Sequence, residues 1–465
     1  MSIPAIPARA FTARRERVAG TWRLTNETVL IPSGLLIPVD GTDAHHAFHP
    51  HAEHVWLAGL TTPGQVLTYD PEDGWTLFAR VADDEERIWE GDRESFEAIA
   101  SRTGLENIRD LAHLANWIRA REQQPLAVLG NEDVIARPEG YRLGPKAIER
   151  IEVNSPLGMR LQKVVTHCRR GKDEWELAWT DEATRIATLG HVTAMRRAKP
   201  GMTERELAAI VEAEFLLAGA DGTAYDSIVA SRHRAAVLHG MPTDRVMNDG
   251  ELVLIDAGAR LGSYNSDITR TFPVGRKFSC EQRAVYEVVL DAQVAACAKV
   301  ADGKEYREIH LETCVDLARG LVDLRVLKGD PEDLVAKDIH ALFFPHGVGH
   351  MMGLSTHDVG GYADGRKRSE RFGLMYLRAD IPLEVGHVVT IEPGLYFIEA
   401  LLCDPKRRTA LKPVVNWSRV DELMDVGGIR IEDDVVVTAN GPKVLTADCP
   451  KTVDEIEALR EEAGA

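Results

Sequence analysis

At 465 residues the chain exceeds what one hydrophobic core usually organises, so two domains are expected, each large enough to bury a substantial interior. With 44% hydrophobic and 28% charged residues the composition is that of a globular protein and excludes a disordered one. The formal net charge of -18 argues against nucleic acid held by a basic surface and against adhesion to anionic membranes, which leaves small molecules and peptides as partners.

The opening stretch, MSIPAIPARAFTARRERVAG, has no apolar run resembling a secretory signal, and no later segment has the roughly 18 apolar residues that span a bilayer, so a cytoplasmic location is expected. The first third alternates strand-like runs, HVWLAGL and GQVLTYD, with charged helical stretches such as DDEERIWEGDRESFEAIASRTG, a mixed α/β pattern without a nucleotide-binding glycine loop. Around HCRRGKDEWELAWTDEATRIATLGHVTAMRRA the pattern turns helical, with a stop expected near Pro200 and Gly201. The domain boundary is placed here, giving domains 1–170 and 171–465. Beyond it, helices alternate with apolar strands, ELVLIDAG, HVVTIEPGLYFI and GIRIEDDVVVTANG, and the fold class is α/β (α+β). Segments 363–380 and 402–426 lack clean periodicity and read as long loops or insertions. The six cysteines, Cys168, Cys280, Cys297, Cys314, Cys403 and Cys449, show no C-x-x-C spacing, so neither a zinc knuckle nor a disulfide framework is expected.

Four of the C-terminal strands carry a carboxylate inside or at the end of an apolar run: Asp256 in LVLIDAG, Asp267 in YNSDITRTFP, Glu392 in VVTIEPGLY and Glu432 in GIRIEDDVVV. Any one of them could cap a turn or reach solvent. Four that converge would repel unless a cation neutralised them. Asp256 and Asp267 flank AGARLGSYN, a connection short enough for their strands to pair as a hairpin. In GIRIEDDVVV the period of two puts Arg430 on the face of Glu432, where it can orient or balance that carboxylate. The glycine-rich stretch FFPHGVGHMMGLSTHDVGGY adds His346, His350 and His357. Four carboxylates and one imidazole balance two divalent cations, and an oxygen-rich set favours Mn²⁺, with Co²⁺, Fe²⁺ and Zn²⁺ as competitors.

At these residues the sequence resembles the pita-bread metallopeptidases, the family of methionine aminopeptidase, aminopeptidase P and prolidase (Xaa-Pro dipeptidase), over essentially all of residues 171–450. The resemblance implies a creatinase-like N-terminal domain and a pita-bread catalytic domain. It implies Asp256, Asp267, His350, Glu392 and Glu432 as ligands of two metal ions per subunit, with His239 in AVLHG and His357 in STHDVGG as groups facing substrate. Glu392 would shuttle a proton. Arg430 and Tyr225 would stand beside the ligands or in the pocket, Tyr225 being equally readable as a core aromatic; His346 would line the pocket or brace its loop.

Within the family, HGVGHMMGLSTHDVGGY, TIEPGLYFIEALL and VLTADCPKTVDEIEAL look most like prolidases, with aminopeptidase P the competitor. Ser355 and Thr356 in GLSTHD depart from the Asp-Val pair of the GLDVHD that both subfamilies usually carry. The implied reaction is hydrolysis of Xaa-Pro dipeptides by a hydroxide between the two metals. The alternatives are release of an N-terminal residue from longer peptides, and a metal-free binding module of the same fold. Arg378 corresponds to an arginine that, in prolidases, holds the dipeptide carboxylate. Trp89 in RIWEGD is the candidate for an aromatic that reaches a partner's site in a homodimer, against the plainer reading of a buried packing tryptophan.

Overall fold

A computed structural model describes residues 5–130, 132–141, 143 and 152–462. The chain divides into two compact units, Met1–Arg169 and Arg170–Ala465.

The first unit is built on a five-stranded sheet of β1 (Thr28–Pro32), β2 (Val66–Asp70), β3 (Gly74–Ala79), β4 (Asn107–Asp110) and β5 (Leu126–Val128), in the order β4-β3-β2-β1-β5. The hairpin β2–β3 and the pair β1–β2 are antiparallel, whereas β5 and β4 add parallel strands at the two edges. Leu30, Val66, Phe78, Leu114 and Trp117 pack into its core. Trp89 ends the short helix Asp84–Trp89 and is 79% exposed, so the packing alternative fails for it. The reason is local: this acidic helix buries none of its residues.

Three long helices of the second unit, two at its start and one after the strand Thr269–Pro273, have starts that are written in the sequence. Asp173, Thr203 and Ser279 each accept a hydrogen bond from the third residue of their helix, and Glu176, Glu206 and Gln282 reciprocate as capping boxes. Each cap contributes on the order of 1 kcal/mol. They open helices Glu174–Arg197, Glu204–Leu217 and Cys280–Ala298. The first ends just before Pro200, and Gly201, at φ 88°, turns the chain. Ile186, Leu207, Val211 and Phe215 of the first two helices, and Val285 and Val289 of the third, share one core with Val253, Ile255 and Phe272 from strands. Each such buried side chain contributes roughly 1.5–3 kcal/mol.

The strands of this unit are short: β6 (Gly222–Thr223), β7 (Ile228–Ser231), β8 (Leu252–Asp256), β9 (Ala259–Leu261), β10 (Tyr264–Asn265), β11 (Thr269–Pro273), β12 (Gly361–Tyr362), β13 (Ala379–Asp380), β14 (Val388–Ile391), β15 (Gly394–Tyr396), β16 (Gly428–Arg430), β17 (Asp433–Thr438) and β18 (Gly441–Val444). Strand β8 pairs antiparallel with both β7 and β11. The expected antiparallel pairing is present as β8 with β11, but the connection and register differ from a simple hairpin. AGARLGSYN folds into its own small pair, β9–β10, and Asp267 precedes β11, where Thr269, not Asp267, stands opposite Asp256.

Two apolar runs that read as single strands are each broken. Strand β14 pairs with β17, and β15 with β16, so both runs pass from one sheet to another at the same level. Glu392 and Pro393 form one break and Ile431 and Glu432 the other, between the registers Ile391 opposite Asp433 and Gly394 opposite Arg430. Pro393 brings no N–H to a ladder, which marks the break. Segment 363–378 is irregular apart from turns, as expected, but 402–426 is mostly helical, with helices Glu399–Leu402, Pro405–Leu411 and Trp417–Leu423. These helices are too short to show a period, and the second starts on the N-cap Asp404 with proline at its first position. No helix among the described residues is long and apolar enough to cross a membrane.

Candidate metal centre

The two strand breaks, the end of β8 and the turn before β11 bring the four carboxylates to one place, and the histidine stretch closes over them. Gly349 makes the approach possible: a Cβ there would stand 2.2 Å from the Thr390 carbonyl oxygen. The next residue, His350, donates its backbone N–H to Thr390 Oγ1 (3.0 Å), and its Nδ1 lies 3.0 Å from the Met351 carbonyl. A carbonyl only accepts, so Nδ1 carries a proton and Nε2 is the nitrogen left to face the carboxylates, Asp267 Oδ2 at 3.4 Å and Glu392 Oε1 at 3.7 Å. Against its burial, those carboxylates raise the ring's pKa, so Nε2 is a donor to Asp267 when protonated and offers its lone pair to a cation when not. Asp267, His350 and Glu432, all buried, offer atoms within 4.8 Å of one another.

Burial first, and for Glu432 the charges of Asp267, Glu392 and Asp256 next, push these carboxyls up. Glu392 rises to about 7, and Glu432 goes well above the ordinary range. Asp267 is raised by burial and by Asp256, against the hydrogen bond from His350. A set of acceptors aimed at each other, each reluctant to hold charge alone, fits a site for divalent cations.

Around the cluster the polar groups are paired. Arg430 pairs with Asp256 Oδ2 at 2.5 Å. The strand ends at Arg430, so the period of two does not itself carry on to Glu432, but the guanidinium is still near enough to oppose the rise in that carboxyl's pKa. The same guanidinium donates to Thr269 Oγ1 (3.1 Å) and to the Tyr396 hydroxyl (2.8 Å), while Thr269 donates to Glu432 Oε2 (2.7 Å). The Tyr225 hydroxyl reaches Asp256 Oδ1 at 2.5 Å and also Asp267, which places it at the cluster and not in the apolar core. His346 holds Tyr396 by Nε2 (2.8 Å) and its own loop by Nδ1 to the Gly347 carbonyl (2.8 Å). Burial, then the nearby Arg430, lowers its pKa to about 3, so it stays neutral.

A cavity of about 1120 Å³ opens on the cluster. His239 and His357 present exposed rings to it, the His357 ring standing edge-on to His350 at 4.4 Å. Burial and His350 together lower His357 to a pKa of about 3, which keeps it a neutral N–H donor. Segment 363–378 supplies Arg368, Phe372, Tyr376 and Arg378 to the wall, and Leu238, Met241, Ile398 and Leu401 supply apolar surface. Arg378 is exposed and makes no side-chain hydrogen bond or ion pair with a described residue. Trp89 belongs to the first unit and is not among the residues lining this cavity. Sequence reasoning missed Tyr396 and Thr269. A tyrosine and a threonine inside apolar strands next to ligand positions were the only signal available for them.

The model of metallopeptidase family M24 matches residues 178–439, and that of the aminopeptidase P N-terminal domain matches residues 11–126. A probable Xaa-Pro aminopeptidase of Podospora anserina is 34% identical over 90% of this chain and 90% of its own length. Human Xaa-Pro dipeptidase is 30% identical over 97% of this chain and 93% of its own. Among solved structures, the aminopeptidase PepP of Pseudomonas aeruginosa superposes with a TM-score of 0.83 at 31% identity over the whole of both chains. Aminopeptidase P of E. coli with the inhibitor Pro-Leu follows at 0.82 and 29% identity, covering 99% of this chain and 100% of that one. The fold is therefore an aminopeptidase-P-type N-terminal domain followed by a pita-bread catalytic domain.

Proposed function

The chain belongs to metallopeptidase family M24, and from that premise we propose that it hydrolyses Xaa-Pro dipeptides with two divalent ions, Mn²⁺ best suiting its oxygen-rich donors. Asp256, Asp267, His350, Glu392 and Glu432 hold the ions in this reading. When bound, the ions supply Lewis acidity and an activated water. The chain's own residues do the rest. His357 and His239 donate N–H groups to the substrate carbonyl as charge develops on its oxygen, Glu392 passes a proton towards the leaving imino nitrogen, and Arg430 fixes Asp256. Tyr225 spaces the two aspartates, and His346 braces Tyr396 against Arg430.

The observation that carries the dipeptidase reading is the unpaired Arg378 in the wall of a cavity that also holds the carboxylate cluster. A guanidinium grips a terminal carboxylate through two parallel hydrogen bonds, and a longer peptide offers an amide there instead. The names of the fungal and bacterial relatives favour a second reading, release of the first residue from longer Xaa-Pro peptides. Ala-Pro and Ala-Pro-Ala, assayed side by side, separate the two. Dipeptidase activity predicts strong preference for Ala-Pro, and an Arg378→Ala variant with metal content unchanged and KM for Ala-Pro raised roughly 10- to 100-fold. Equal cleavage of the tripeptide, with Arg378→Ala kinetically silent, moves the assignment to the aminopeptidase. The N-terminal domain, 1–170, serves dimerisation in this proposal, with the exposed Trp89 offered to a partner subunit.

A further inference from the structure

The second unit opens with two cations that reach the loop carrying His357. Lys172 Nζ lies 2.9 Å from Asp358 Oδ2, with side chains only 1% and 3% exposed. Arg170 Nη2 donates to the Gly360 carbonyl at 2.7 Å. The lysine is itself anchored, since its backbone N–H bonds the Gly386 carbonyl (2.9 Å) at the turn that leads into β14 and Glu392. Asp358 is anchored as well: its N–H goes to the Met351 carbonyl at 2.9 Å, the same oxygen that takes the His350 Nδ1 proton. Gly353 closes the loop over the pair so tightly that a Cβ would stand 2.4 Å from Asp358 Oδ2 and 2.8 Å from Lys172 Cε.

A buried ion pair is a poor device for stability, because dehydrating both charges costs about as much as their attraction returns. It is a good device for geometry. We infer that Lys172 and Asp358 are positioning residues, a strut that sets where the His357 ring stands relative to His350 and the substrate carbonyl. The inference rests on the reading of His357 as a substrate-facing donor. Neither strut residue lines the cavity, so both act only through the loop.

Single substitutions remove one charge of a buried pair and endanger the fold, so the test uses the neutral pair Lys172→Met with Asp358→Asn, in the full chain loaded with Mn²⁺. Turnover of Ala-Pro, metal content and thermal midpoint are read for this pair, for His357→Ala, and for the combination of all three. The neutral pair should keep two ions and a midpoint near the parent's while kcat falls roughly 10- to 100-fold, the scale of a misplaced catalytic group. In the His357→Ala background the neutral pair should cost no more than about a further twofold, because the group it positions is gone. Parent-like kcat in the neutral pair, or losses that multiply with that of His357→Ala, would overturn the strut while leaving the role of His357 intact. A parent-like kcat in His357→Ala would remove the donor reading itself, and the strut with it.

Discussion

Asp267→Asn is expected to lose metal and turnover together, by more than the roughly 10²-fold that follows loss of a group merely supporting a ligand. Its carboxylate stands 3.4 Å from His350 Nε2, shares Tyr225 with Asp256, and is buried. Its backbone N–H is held by Asp434 Oδ2 at 3.1 Å, so the amide variant stays in place. The same change removes one of the crowded charges that raise Glu432. The metal-free variant should therefore unfold at a temperature equal to or above that of the metal-free parent, although its catalysis is gone. Metal analysis, thermal unfolding without metal, and Ala-Pro turnover check the three parts. A variant that keeps two ions and the parent's rate would show that another carboxylate does this work.

His357→Ala should lower kcat roughly 10²- to 10³-fold, the scale of removing one donor to a developing oxyanion, while metal content stays at the parent's level. His239→Ala should behave alike. Both rings are exposed to the cavity, so truncation leaves no buried hole, and a thermal midpoint within a few degrees of the parent's separates lost chemistry from lost fold. Collapse of metal content in either variant would place that histidine among the ligands instead. The ring of His357 is the more exacting case, because it stands against His350, whose Nε2 faces the carboxylates.

Much of the site was readable because carboxylates inside apolar runs violate the pattern that surrounds them. Asp256 at the end of β8 and the glutamates at the two strand breaks are such violations, and each now stands in the cluster. The helix starts were readable for a similar reason: capping boxes are local, spanning four residues. What could not be read was set by contacts distant along the chain. Arg430 finds Asp256 across 174 positions, and Lys172 finds Asp358 across 186, distances over which no periodicity carries information. The breaks at Glu392 and Glu432 were hidden because apolar residues continue on both sides, and only the pairing of β14 with β17 and β15 with β16 shows the change of sheet. Segment 402–426 reads as loop or insertion because its helices run to at most seven residues, too short for a period to stand out: Pro405–Leu411 buries none of its residues and Trp417–Leu423 only Val420 and Leu423.

The central claim is that this cluster works only as a two-ion centre. It is tested most directly by stripping the protein with a chelator, removing the chelator, and following Ala-Pro turnover as Mn²⁺ is titrated back, with bound metal measured at each point. No turnover in the stripped protein, and a return that levels off at about two ions per chain, is the predicted result. Full turnover in stripped protein, or a plateau reached with no ion bound at this cluster, would contradict it.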